Sequence, residues 1–341
     1  MKNLPIITVV ITAYNRKEYI WKALKSVLDQ NIDEKLYEVI VVKNFKDPDL
    51  DQKILSSGAR IINSTNKALG GKFLEGVNES KGEIICFLED DDYYYPYKLK
   101  TVLEEFSQDP ELMFYQHPSD LRDVSDDRLI SSGNRMQEKH LSYPPTGKKV
   151  RKLLAPITKS SVYNNSSYCI RKSAFDGDLG PFRNMVKACD DFLFIFLLSV
   201  KGKLKLGNRN LSAKTVFVPK SQKEQSMQEY LEVTFTAELQ NIETYSMYLD
   251  FFKCSAQLEL SRYYMTRAKL RAGLYGNYKV NIREIFSSIS LCLKYRDFYL
   301  LILCFWTIIS KLRKDLVLFH FFSSDGLRKQ NGLISGILKK L

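Results

Sequence analysis

The chain of 341 residues has little of what most zinc, redox and hydrolytic sites are made from. Its 3 histidines (His117, His140 and His320) are too few and too scattered for a metal cluster or a catalytic triad. Its 6 cysteines (Cys86, Cys169, Cys189, Cys254, Cys292 and Cys304) stand far apart, with no Cys-x-x-Cys pair and several inside apolar runs. That usage predicts reduced, buried thiols in place of a zinc ribbon or a disulfide framework. The longest uncharged apolar run is Phe298–Ser310. As a helix it covers about 20 Å, short of the roughly 30 Å hydrocarbon core of a bilayer, so no spanning helix is expected. The opening Met-Lys-Asn-Leu-Pro has no signal-peptide pattern, and a cytoplasmic location is the expectation. No internal repeat is visible.

What is present is ordinary in amount and uneven in placement. Apolar residues at 45 % and charged residues at 26 % lie near globular averages, which excludes disorder and collagen-like architecture. The net charge of +12 comes from 51 basic and 39 acidic residues. Residues 253–341 hold 16 basic against 5 acidic, whereas residues 1–252 hold 35 against 34. The surplus therefore belongs to the C-terminal third and suggests an anionic partner there: nucleic acid, a phosphate-bearing substrate or an acidic membrane face.

The first half alternates strand and helix signals. Strand-like runs at Ile6–Thr12, Glu38–Val42, Ala59–Asn63 and Glu83–Leu88 are separated by helical periodicity at Lys17–Gln30, Asp51–Ser57 and Gly71–Ser80. This pattern predicts an α/β fold with a mostly parallel sheet flanked by helices. Ligands in such sheets bind beyond the carboxyl ends of the strands, which places Thr12–Arg16, Asn44 and Glu89–Asp92 on one rim. Residues 117–165 lack clear periodicity and read as a loop region. Ser167–Arg171 and Lys214–Val218 read as further strands, with a helix at Cys189–Val200. Long helical segments follow, near Met227–Lys253, Ser255–Ala272, Ile282–Lys294 and Phe298–Phe322. The expected division is a domain at 1–220 and a basic, apolar helical region at 221–341.

Chemistry concentrates at Glu89-Asp90-Asp91-Asp92, directly after an apolar strand. Four clustered carboxylates repel one another unless a cation sits among them, and hard Mg²⁺ or Mn²⁺ suits carboxylate and phosphate oxygens. An acidic helix cap would need one carboxylate, not four. Leu69-Gly70-Gly71-Lys72 precedes a helix, where paired glycines allow a diphosphate to approach and Lys72 would neutralise it. Asp190-Asp191 opens the apolar helix Phe192–Val200, as a capping pair or as a positioned base. Asn164-Asn165-Ser166-Ser167 reads equally as a turn or as an acceptor-facing segment.

The strand followed by Thr12-Ala13-Tyr14-Asn15-Arg16, then Gly82–Asp92 and then Cys189-Asp190-Asp191 together resemble a family-2 glycosyltransferase of the GT-A fold, over about residues 4–220. The resemblance implies transfer of a sugar from a nucleoside-diphosphate donor, UDP- or GDP-linked, with inversion. Carried onto this sequence, it sets Thr12, Ala13, Tyr14, Asn15 and Asn44 toward base and ribose, with Arg16 there or at the diphosphate. Glu89 would take a ribose hydroxyl, Asp91 the metal, and Asp90 and Asp92 would assist, Asp92 as a further metal carboxylate. Asp191 would be the general base that deprotonates the acceptor hydroxyl. Asn44, where the family has an acid, and Glu89, where Asp is commoner, depart from the usual pattern.

In the C-terminal third, Lys294, Arg296, Lys311, Arg313 and Lys314 flank the apolar run, and Phe319, Phe321 and Phe322 follow it. Basic residues beside aromatic and aliphatic ones read as an in-plane anchor on an anionic leaflet, or as a helical subdomain with a solvated basic surface. The anchor would bring the enzyme to a glycan or polyprenyl-linked acceptor. Two other readings stand against this one. A sugar nucleotidyltransferase opens on a glycine-rich phosphate loop, and Thr12–Arg16 contains no glycine. A non-catalytic membrane- or nucleic-acid-binding protein leaves Glu89–Asp92 without a role, and no nucleic-acid motif is apparent, so no nucleic acid partner is expected.

Overall fold

A computed structural model describes residues 4–132, 138–142, 164–185, 189–198, 200–216, 227–276, 278–295 and 298–312. The chain divides into two compact units, Met1–Val218 with Asp250–Leu258, and Pro219–Leu249 with Glu259–Leu341.

The first unit begins with β1 (Ile7–Ala13), α1 (Ile20–Leu28), β2 (Tyr37–Lys43), α2 (Pro48–Ser56), β3 (Arg60–Asn63), α3 (Leu69–Asn78) and β4 (Ile84–Glu89). It continues with β5 (Tyr93–Tyr94), α4 (Lys98–Gln108), β6 (Leu112–Gln116), β7 (Ser119–Asp123), β8 (Leu129–Ser131) and β9 (Lys139–Ser142). Strand β10 (Tyr168–Arg171), α5 (Cys189–Leu197), β11 (Lys203–Leu206) and β12 (Ser212–Val216) complete it. The large sheet runs β3-β2-β1-β4-β10-β6-β11-β9. The first four strands are parallel, as their long apolar runs predict, and β10 enters antiparallel between β4 and β6. The fold is thus α/β, with a parallel half that carries the rim and a mixed half beside it.

All seven residues of β1 are buried, so helices must cover both of its faces. On one face Val9 and Ile11 join Ile20, Leu24 and Val27 of α1 and Leu99, Val102 and Phe106 of α4 in a single core. On the other, α3 lies close to the sheet: a Cβ at Gly76 would fall 2.4 Å from Val10 Cγ1, so no larger residue fits. Each fully buried Val, Leu, Ile or Phe contributes about 1.5–3 kcal/mol, and these layers hold the rim in place.

Residues 117–165 hold more structure than their composition suggests. Strands β7 and β8 lie there, in a second sheet of order β5-β12-β7-β8, and β9 adds to the large sheet. The periodicity is missing because these strands are short and fastened by polar pairs. Ser119 and Ser212 share a 2.7 Å hydroxyl contact, and Asp123 accepts from Ser125. The thiols of Cys86 and Cys169 are buried and unbridged, 3.1 Å apart across β4 and β10.

Helices α6 (Met227–Phe251), α7 (Ser255–Tyr275), α8 (Ile282–Tyr295) and α9 (Phe298–Leu312) follow, and apart from the stretch Asp250–Leu258 they belong to the second unit. The expected continuation of the last helix to Phe322 lies outside the described residues. Glu238 of α6 is buried and pairs with Arg271 of α7 at 2.5 Å, and Tyr245 stacks on Tyr264. Among the described residues no helix is long and apolar enough to cross a membrane.

Candidate active site

Parallel register lines up the ends of three strands. Thr12 pairs with Val42 on one side and with Glu89 on the other, and Ala13 pairs with Lys43. The chain leaves β1 through Asn15, whose φ of 56° lies in the left-handed region that asparagine tolerates better than most residues. That turn brings its backbone N–H to Asn44 Oδ1 (2.9 Å), and Asn44 Nδ2 donates back to Asn15 Oδ1 (2.7 Å). Asn44 thus joins the ends of β1 and β2. Thr12 Oγ1 is buried with no hydrogen-bond partner at this level of the rim, and Tyr14 is exposed.

Arg16 reaches from this turn across to the acidic cluster. Its guanidinium grips both oxygens of Asp90 and donates to Asp91 Oδ2 at 2.8 Å. Burial works against the charge on Arg16, yet the two carboxylates raise its pKa. The chain therefore supplies one counter-charge itself. Even so, burial pushes the Asp90 carboxyl up to about 6, against the pull of Arg16.

Asp92 is held differently. It is 1 % exposed and accepts from Asn164 Nδ2 (2.6 Å), Ser166 Oγ (2.6 Å) and the Thr215 backbone N–H (2.8 Å). Burial, with the repulsion of Glu89 and Asp91, pushes its carboxyl well above the usual range. Asn165 Nδ2 donates to Glu89 Oε1 at 2.7 Å, and the Glu89 backbone N–H donates to Ser166 Oγ. Behind them the buried Lys98 donates to the Ser166 carbonyl at 2.7 Å and lies 3.5 Å over the Tyr94 ring. The segment Asn164–Ser167, read in sequence as a turn or an acceptor contact, is the brace of the acidic cluster. Thr215, whose hydroxyl donates to the Asp91 carbonyl at 2.5 Å, carried no sequence signal at all.

Glu89, Asp91 and Asp92 can each offer an oxygen, all within 4.8 Å of one another. Three carboxylates without imidazole or thiolate fit a hard divalent cation such as Mg²⁺ or Mn²⁺. Asp91 is 22 % exposed at its side chain, against 1 % for Asp92.

The Gly70-Gly71 pair lies inside the first turn of α3, and its lack of side chains serves packing. A Cβ at Gly70 would fall 1.9 Å from the Phe182 carbonyl oxygen, and one at Gly71 1.9 Å from Asn66 Nδ2. Lys72 is buried, its ammonium 4.3 Å from the Tyr14 ring centroid. Asp190 and Asp191 stand in the first turn of α5; their side chains lie outside the described residues. His117 is buried and donates from Nδ1 to the Pro118 carbonyl, and His140 pairs with Glu138. Neither is part of the acidic cluster.

A sheet of this order with an acidic loop at the end of β4 defines a GT-A type fold, and comparison with known proteins agrees. Residues 8–166 match the family described as Glycosyl transferase family 2. An uncharacterized glycosyltransferase of Haemophilus influenzae is 30 % identical over 116 residues, 33 % of this chain and 39 % of the relative. A second, from a Nostoc species, is 30 % identical over 140 residues, covering 39 % and 43 %. Chondroitin synthase of Escherichia coli is 28 % identical over 117 residues, covering 33 % and 17 %. The matched stretch thus spans about two fifths of the first two relatives. Among solved structures, S. aureus TarS 1–349 in complex with UDP-GlcNAc superposes with a TM-score of 0.50 and 13 % identity. That likeness covers 90 % of this chain and 91 % of the other, and it establishes the fold.

Proposed function

We propose that this protein is an inverting glycosyltransferase that moves a sugar from a UDP- or GDP-linked donor to a hydroxyl of a glycan or polyprenyl-linked acceptor. The observation that carries the reading is the convergence of Glu89, Asp91 and Asp92 on one point of the strand-end rim, beside Arg16 and the Asn15–Asn44 bridge. The family of residues 8–166 supports it, as does the nucleotide sugar bound by the structural neighbour.

In this reading Thr12, Ala13, Tyr14, Asn15 and Asn44 form the nucleoside side of the site. The unpartnered Thr12 hydroxyl is a group a ligand would satisfy. Glu89 takes a ribose hydroxyl. Arg16, Gly71 and Lys72 belong to the diphosphate side; Arg16 is already aimed at this charge cluster and can exchange carboxylate for phosphate oxygens. Asp91 would hold a divalent cation most directly, with Glu89 and with Asp92, whose orientation three protein donors fix. A bound Mg²⁺ or Mn²⁺ would supply Lewis-acid stabilisation of the leaving nucleoside diphosphate. Asp190-Asp191 opens a helix, where a carboxylate is favoured, and Asp191 takes the acceptor proton as the base. The basic C-terminal region meets an anionic membrane surface on the cytoplasmic face.

The test is a binding and hydrolysis screen of nucleotide sugars with and without Mn²⁺. The expected result is one preferred donor whose binding tightens with metal and weakens at least about tenfold in Asp91→Asn, the loss of a charge-assisted contact. No preferred donor under any metal condition would overturn the reading.

A further inference from the structure

Helices α8 and α9 pack on each other and leave large apolar side chains uncovered. On α8, Ile282, Phe286 and Leu293 are 66 %, 65 % and 73 % exposed. Their spacing of four and seven sets them on one stripe. Ile285 and Ser288, off this stripe, are buried. On α9, Leu301, Phe305 and Ile308 repeat the pattern at 42 %, 56 % and 44 %, while Leu300, Leu303, Cys304 and Thr307 face inward. A water-facing helix would carry charge at these six positions.

The stripe beside the apolar one on α8 is Arg283, Ser287, Ser290 and Lys294, again at helical spacing. A groove of about 510 Å³ runs between α7 and α8, with Arg262, Thr266, Arg283, Ser287 and Ser290 among its lining. Arg262 and Arg283 have no carboxylate partner among the described residues. Guanidinium and hydroxyl donors beside an apolar strip match the layered chemistry of a lipid surface, phosphate above acyl chain.

We propose that α8 and α9 seat the protein in the plane of an anionic phospholipid bilayer. The apolar stripes enter the acyl boundary, and the α7–α8 groove takes lipid phosphates. This deepens the membrane contact of the reading above by assigning it to one face. Charge selects this occupant. A second copy docked on the same face would bring Arg283 against Arg283 or its neighbours, and like charges repel across such a contact.

Co-sedimentation of the full-length protein with vesicles tests this, using phosphatidylglycerol mixed with phosphatidylcholine against phosphatidylcholine alone. Binding to the anionic vesicles is expected to be at least about tenfold tighter and to weaken with added salt. Phe286→Glu combined with Phe305→Glu, both at exposed positions, is expected to lower it at least about tenfold. Arg262→Glu with Arg283→Glu should erase the preference for the anionic lipid. The proposal is overturned if the native protein ignores both vesicle types, if the Phe variants bind equally well, or if those variants abolish a dimer seen by light scattering. Nucleotide-sugar binding on the same preparations separates the two readings: the Phe variants keep it, and its absence from the native protein would sink the transfer reaction while leaving the lipid face standing.

Discussion

The acidic rim and the basic helices solve opposite electrostatic problems by opposite means. At the rim, four adjacent carboxylates are gathered where water is scarce, and each is tied down: Asp90 and Asp91 by Arg16, Asp92 by three donors, Glu89 by Asn165. In the second unit, cations such as Arg262 and Arg283 stand at the surface with no carboxylate partner among the described residues, beside uncovered aromatic and aliphatic side chains. Charge held inside a network shapes a site; charge left in solvent attracts a surface from a distance. Mutations should separate the two regions accordingly.

The largest effect is expected at the proposed base. Asp191→Asn should lower turnover by about 10³-fold while donor affinity, read by calorimetry, changes less than about threefold, because general-base help is lost and binding is not. Unchanged turnover would remove Asp191 from the chemistry. Next comes Asp92→Ala, which strands the Asn164, Ser166 and Thr215 donors and should cost about 2–4 kcal/mol in denaturant unfolding. A cost near zero would mean that the brace does not hold the rim.

A smaller, pH-dependent effect is expected at His117. Burial first, and then the Lys98 ammonium, hold its imidazole well below its ordinary pKa, so it is neutral in the fold. The unfolded chain gains a proton near about pH 6.5, and below that point stability should fall with acidity by up to about 1.4 kcal/mol per pH unit. His117→Gln should flatten that slope in melting curves taken between about pH 5 and 7. Smallest of all, Arg283→Ala should shift stability by less than about 0.5 kcal/mol, as a solvated charge does. A larger loss would place Arg283 in a network and blur the contrast between the two regions.

Much of this molecule was legible in the sequence, and the limits have physical causes. Strands β1, β2 and β4 announce themselves because burial on both faces demands continuous Val, Ile and Leu, and Glu89–Asp92 stands out because four carboxylates so close together need neutralising. The roles of Asn164, Asn165, Ser166 and Thr215 were not legible. Small polar residues fit turns and loops anywhere, and only the antiparallel entry of β10 beside β4 carries the first three to the acidic loop. The glycines before α3 were legible as a need for close approach, but the structure brings Asn66 and Phe182 into that space. Asn44 reads from sequence as a stand-in for an acid, and the fold gives its amide to Asn15.

The brace on Asp92 has a consequence for how the protein can be cut or grown. Its donors come from Asn164 and Ser166, and from Thr215 on a strand of the other sheet. A fragment ending where the family match ends, at residue 166, would keep the parallel strands β1 to β4 yet leave this carboxylate without its last anchor. The smallest piece of chain able to present a finished pocket therefore extends through β12, and partial synthesis yields an acidic loop still waiting for its keystone.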